Sequence, residues 1–293
     1  PTGQDHQLID GFQTDYAANY APAVAVVIYA SVYGTERDPN LLDGMHTMIR
    51  RTIKLLEDRD GVTPFCRVFL YHYSLVGMLM LPDENRAECM REYGRFFGSY
   101  KDDCPQVNTN CAALQWGSEI FTDALGFRKA DPAYMNRLLD FIEQSQNQAG
   151  FINDDVTATK KGDGMPIAYH AFSVFILTSV FAIVERWDQA YVTQKNRVEA
   201  FIRTGRAWLK HTITPDGPFA MLGRSAYQMF NWGTLVTYLS GFDVKHEEGL
   251  QRLFDKALNY WGPFKHADGT YSCVPHRFPH GLRVGFEHYT HVN

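Results

Sequence analysis

The stretch Ile167-Ala-Tyr-His-Ala-Phe-Ser-Val-Phe-Ile-Leu-Thr-Ser-Val-Phe-Ala-Ile-Val184 is apolar or aromatic nearly all round. It is followed by Arg197-Val-Glu-Ala-Phe-Ile-Arg-Thr-Gly-Arg-Ala-Trp-Leu209, which is apolar on one face and charged on the other. The first reads as a helix buried on every side, and the second as an amphipathic helix that covers it. The alternation recurs along the chain. Residues 22–33, 65–81, 112–125 and 226–239 are of the first kind, whereas 41–56 and 134–142 are of the second. Short segments with Gly, Pro and Asp separate them, and strand-like alternation is scarce.

The chain therefore reads as all-α, with helices near 16–33, 39–58, 64–80, 83–100, 109–125, 132–147, 166–186, 189–211, 223–240 and 246–261. Successive apolar helices start roughly 40 to 60 residues apart, the period of a repeated helical pair. An inner layer of apolar helices inside an outer layer of amphipathic ones is an (α/α) toroid, here a single domain over 1–293 with five to six hairpins. Five hairpins close a ring poorly, and 286–293 stop where a further inner helix would begin. The expectation is an incomplete toroid or a truncated chain. An open solenoid of helical pairs is the alternative, although its inner helices would carry more charge.

With 45% hydrophobic and 21% charged residues, a chain of 293 residues has the material for a large core, which excludes a disordered or collagen-like class. Its 28 Lys and Arg against 33 Asp and Glu give a net charge of -5. With no basic run, nucleic acid is not an expected partner. The longest apolar stretches, 21–33 and 171–184, are shorter than the roughly 20 residues that span a bilayer, so no membrane partner is expected either. Five cysteines match no zinc spacing, and no metal or organic cofactor is expected. Cys104 and Cys111 bracket a short loop as either a disulfide or two buried thiols. Aromatic residues make up 14% of the chain, more than a core needs, which suits a groove that stacks sugar rings.

In a toroid the first turns of the inner helices share one rim, so polar residues far apart in sequence converge there. Those turns carry Asn108, Asn110, Gln115 and Trp116, then Tyr169 and His170, then Arg224 and Tyr227. Asn108 suits a helix N-cap, which leaves Asn110 for the funnel. His170 sits in an apolar run, where a hydrogen-bonded core histidine is the usual finding. Arg224 at a helix start is unhelped by the helix dipole and calls for a carboxylate partner. Together these groups suit β-elimination at a uronic acid residue. Asn110 and Arg224 would neutralise the carboxylate, His170 would act as base, and Tyr227 would protonate the departing oxygen or serve as both base and acid.

Two motifs, Asp163-Gly-Met-Pro-Ile-Ala-Tyr-His-Ala-Phe172 and Asp216-Gly-Pro-Phe-Ala-Met-Leu-Gly-Arg-Ser-Ala-Tyr227, resemble the (α/α)-toroid polysaccharide lyases, which include alginate, glucuronan, hyaluronate, chondroitin and heparin lyases. The resemblance implies Asn110, His170, Arg224 and Tyr227 as catalytic residues, an anionic polysaccharide as substrate and a secreted or periplasmic location. Many of these lyases continue into a β-sheet domain, and no strand-rich segment is expected within these 293 residues. The segment Phe286-Glu-His-Tyr-Thr-His291 carries Tyr289 and His291 as sugar-binding types, beside Asn108, Gln115, Trp116 and Tyr169.

Two other readings use the same scaffold. A glycoside hydrolase resembling unsaturated glucuronyl hydrolases needs two carboxyl groups, for which Glu119, Asp154, Asp155, Asp163 and Asp216 are candidates. A non-catalytic carbohydrate-binding module needs only stacking by Trp116, Tyr227, Trp232 and Tyr289. On the lyase reading, His170→Ala and Tyr227→Phe are each expected to abolish turnover with folding intact.

Overall fold

A computed structural model describes residues 7–9, 12–102, 104, 108–154, 167–184 and 189–212, together with 255, 256, 259, 262–265 and 267. Among these the fold is all-α apart from one small antiparallel hairpin, β1 (Gln7–Ile9) and β2 (Phe12–Thr14). Eight helices follow: α1 (Asp15–Glu36), α2 (Pro39–Glu57), α3 (Pro64–Leu79), α4 (Asp83–Ser99), α5 (Thr109–Ala124), α6 (Pro132–Gln144), α7 (Ile167–Ile183) and α8 (Val192–Lys210). Their bounds lie within a few residues of those expected from the sequence. The expected helices at 223–240 and 246–261 fall, but for a few residues, outside the described ones.

The helix starts are written in short cap signals. Asp38, Thr63 and Asp131 each precede a proline, and each accepts a hydrogen bond from a backbone N–H in the first turn of α2, α3 or α6. Proline fits there because the N–H it lacks would have had no partner inside the helix. Asn108 does the same for α5, accepting from the Cys111 N–H.

Two layers result. Helix α1 packs on α3, α3 on α5 and α5 on α7, so the apolar helices stand side by side; α2 lies against α1 and α3, α4 against α3, α6 against α5, and α8 against α6 and α7. Burial follows this layering. Every residue of α5 from Thr109 to Thr122 is buried, whereas α6 buries only Met135, Leu138, Leu139 and Ile142, the i, i+3, i+4, i+7 stripe of an outer helix. The inner row is concave on one side, because Phe69 of α3 and Phe172 of α7 stack with centroids 6.1 Å apart although α5 stands between their helices. The expected closure of that row into a ring falls outside the described residues.

Close helix contact is set by small residues. A Cβ on Gly77 of α3 would lie 2.6 Å from Val26 Cγ1 and 3.0 Å from the Val26 carbonyl carbon on α1. Gly77→Ala is therefore expected to push α1 from α3 and lower stability by about 1–3 kcal/mol, read as a shifted midpoint in denaturant unfolding. At the other end of the row, Gly150 has φ +93, and a Cβ there would meet the Thr204 carbonyl oxygen of α8 at 2.5 Å. The turn between Gln146 and Ile152, which form an isolated antiparallel bridge, thereby lies directly on α8. That placement carries residues 151–154 under the ends of α5 and α7.

Candidate functional site

The N-terminal ends of α5 and α7 meet over the segment 151–154. The Thr109 N–H donates to the Asp154 carbonyl at 2.8 Å, and the Thr109 hydroxyl donates to the Asn153 carbonyl at 2.9 Å. The Asn110 N–H donates to Asp154 Oδ1 at 3.0 Å. Asn108 and Asp154 thus share the orphan donors of the first turn of α5, one as the local cap and the other from a distant loop. From α7, the Ser173 hydroxyl lies within bonding reach of Asn110 Oδ1 at 2.8 Å and donates back to the Tyr169 carbonyl at 3.0 Å. One end of the Asn110 amide is held by this contact; Asn110 is itself buried, and Tyr169 is half-buried.

His170 points the other way, into the core. It has no exposed surface. Its Nδ1 accepts from the Ile152 N–H at 2.8 Å, which places the proton on Nε2, where it donates to the Gly205 carbonyl at 3.0 Å. Phe151 stacks on the ring and Trp208 meets it edge-on, with centroids 5.2 and 4.9 Å away. Burial pushes its pKa down to about 3, partly countered by the Gly205 bond. The imidazole expected to serve as a base is therefore a neutral core residue that ties 151–154 to α7 and α8, with both nitrogens used.

Of the other sequence candidates, Gln115 and Trp116 do not join this cluster. Gln115 donates through Nε2 to the Cys104 carbonyl at 2.9 Å and anchors the segment before α5. Trp116 is fully buried and packs near Phe181 of α7, centroids 6.5 Å apart, so the ring lies in the core rather than on a stacking surface. Glu119 is paired with Arg128 through both oxygens and also accepts from the Asp131 N–H at 3.1 Å. Glu119 and Asp154, the described hydrolase candidates, are thus a buried ion-pair partner and a helix cap. Arg224, Tyr227, Tyr289 and His291 lie outside the described residues, as do Asp155, Asp163, Asp216 and Trp232. Cys104 and Cys111 are buried free thiols.

Sequence reasoning missed Ser173 and the capping role of Asp154. Ser173 has a visible signal, since it stands one turn after Tyr169 on a helix with few polar residues. The Asp154 role has none, because it depends on how a loop meets a helix some forty residues away. Among the described residues no group of three or more His, Cys, Asp and Glu side chains is placed to hold a metal, and no helix is long and apolar enough to cross a membrane.

A second buried histidine sits in the row. His72 Nδ1 lies 3.0 Å from the Leu114 carbonyl, and burial lowers its pKa to about 4. Both histidines are neutral when folded but take up a proton near pH 6.5 when unfolded, so they contribute stability that is present above about 6.5 and lost as pH falls towards their folded values. At about pH 5 the two together are expected to lower stability by about 4 kcal/mol relative to neutral pH. Denaturant unfolding at both pH values reads the drop, and His72→Gln is expected to halve it; an unchanged drop in that variant would assign the loss to other groups.

Comparison with protein-family models, with curated proteins and with solved structures finds no match for this chain.

Proposed function

We propose that the chain is a polysaccharide lyase that cleaves a uronic-acid-containing polymer by β-elimination. The observation that carries the reading is the meeting of the N-terminal ends of α5 and α7, where Asn110 in the first turn of α5 bonds Ser173 in the second turn of α7. An inner layer of helices with its polar first turns at one end is the arrangement a rim site requires, and the next expected inner helix would bring Arg224 and Tyr227.

In the reaction, Asn110 and Arg224 donate to the uronate carboxylate and lower the cost of charge that develops on it as the C5 proton leaves. Tyr227, entering as the phenolate, takes that proton and becomes the phenol. The C4–O bond then breaks, a C4–C5 double bond forms, and the departing oxygen takes its proton from Tyr227, so one phenol serves as base and acid in a syn elimination. His170, neutral and buried, has a structural part: it ties 151–154, which include the Asp154 cap of α5, to α7 and α8. This division of labour departs from the one the sequence suggests, in which His170 takes the proton.

The engagement of Glu119 and Asp154 in structural bonds disfavours hydrolysis through those two carboxylates. Mass spectrometry of the products tests the proposal. Each new non-reducing end is expected to be one water lighter than the product of hydrolysis; fragments of full hydrolytic mass would overturn it.

A further inference from the structure

Cys104 and Cys111 are separated by six residues in the chain, and the fold brings their side chains together. The backbone explains the approach. Cys111 stands in the first turn of α5, where its N–H donates to the Asn108 cap at 2.8 Å. Gln115 lies one turn further along the same face, at i+4, and its Nε2 donates to the Cys104 carbonyl at 2.9 Å. The Cys104 N–H in turn donates to Asp102 Oδ1 at 2.8 Å. Cys104 is thus pinned along the face of α5 that carries Cys111, and the two thiols meet in a hydrogen bond. Both are buried, Cys104 at 5% exposure and Cys111 at 0%. Two thiols in contact have the proximity that a disulfide demands.

The pair is asymmetric. Its bond to Cys104, burial, and the Asp154 and Asp102 carboxylates hold the Cys111 thiol protonated, far above the ordinary thiol range. Cys111 is therefore the donor and Cys104 the sulfur that accepts, and Cys104 is also the one with exposed surface. Stepwise thiol–disulfide exchange uses such an arrangement, in which one sulfur is reached first and a second thiol waits beside it. With a low-molecular-weight disulfide as oxidant, Cys104 releases its proton to water, attacks one oxidant sulfur and expels the other half as a thiolate. Cys111 gives its proton to that thiolate and attacks the Cys104 sulfur, expelling the second half, which takes up a proton from water. Two protein thiols and one small disulfide become one protein disulfide and two small thiols.

We propose that Cys104 and Cys111 form a reversible disulfide that locks the segment leading into α5. The proposal stands apart from the lyase reading, because it needs no substrate and no turnover. The full chain, equilibrated with reduced or with oxidised glutathione, is quenched in acid, alkylated in denaturant and mapped by peptide mass spectrometry. Under oxidised glutathione the two cysteines are expected to escape alkylation together, in one cross-linked fragment two hydrogens lighter than its reduced form, while Cys66 and Cys89 are alkylated. Dithiothreitol is expected to reverse the change. Closing a loop of eight residues is expected to raise the thermal midpoint by about 5 °C, and this rise is expected to vanish in Cys104→Ser and in Cys111→Ser. The parent mapping stands whether or not either variant folds. Alkylation of both cysteines after oxidised glutathione, a lasting glutathione adduct on Cys104, or pairing of either with Cys66, Cys89 or Cys273 would overturn the proposal. So would a disulfide that leaves the midpoint unchanged, or a rise that persists in the serine variants.

Discussion

His170→Ala is expected to lower the stability of the fold by about 3–4 kcal/mol, and any loss of turnover it causes is expected to follow the loss of folded protein. Three effects combine. The substitution empties a fully buried ring site between Phe151 and Trp208, leaves the Ile152 N–H without its acceptor at 2.8 Å, and leaves the Gly205 carbonyl without its donor at 3.0 Å. A buried polar group stripped of its partner costs about 1–3 kcal/mol, and the cavity adds to it. His170→Gln, which keeps one amide donor and one acceptor, is expected to recover part of the loss. Chemical denaturation reads both variants. A His170→Ala protein as stable as the parent but without turnover would return the imidazole to the role of base.

Tyr227→Phe is expected to give the opposite profile: turnover falls by about 10³-fold, while polymer binding and the unfolding midpoint stay at the parent values. A general acid–base group contributes about 10²–10⁴ in rate. On the proposed mechanism, with both His170 nitrogens engaged, one phenol carries both proton transfers, so its loss removes base and acid together. Because the phenylalanine ring keeps the shape and apolar surface, KM is expected to change less than kcat. Steady-state kinetics on the cleaved polymer, with binding of an uncleaved fragment as control, separates the two constants. Retention of more than about a tenth of the parent kcat would remove Tyr227 from the proton chemistry.

The helices and their layering were legible in the sequence for a physical reason. An amphipathic stripe such as Met135, Leu138, Leu139 and Ile142, and a cap followed by proline such as Asp131-Pro132, are local signals that survive into the fold unchanged. The destinations of side chains on the buried helices were not legible. A helix apolar all round has no polar face to announce where its one histidine points, and His170 finds its partners at Ile152 and Gly205, on two other segments. Trp116 and Gln115 are similar cases: both stand on α5 near the expected rim, yet one is packed by α7 and the other turned towards Cys104. The capping of α5 by Asp154 depends on the Gly150 turn lying against α8, a tertiary fact with no local trace. Asn108, by contrast, caps as its place before an apolar helix suggests.

The central claim is β-elimination at a uronate, and the most direct measurement is ultraviolet absorbance during incubation with alginate, glucuronan, hyaluronan, chondroitin and heparin in turn, with reducing ends counted in the same samples. The account predicts that absorbance of the unsaturated product rises with at least one polymer, in step with new reducing ends. New reducing ends without absorbance would contradict it in favour of hydrolysis, and silence in both signals across all five polymers would contradict it outright.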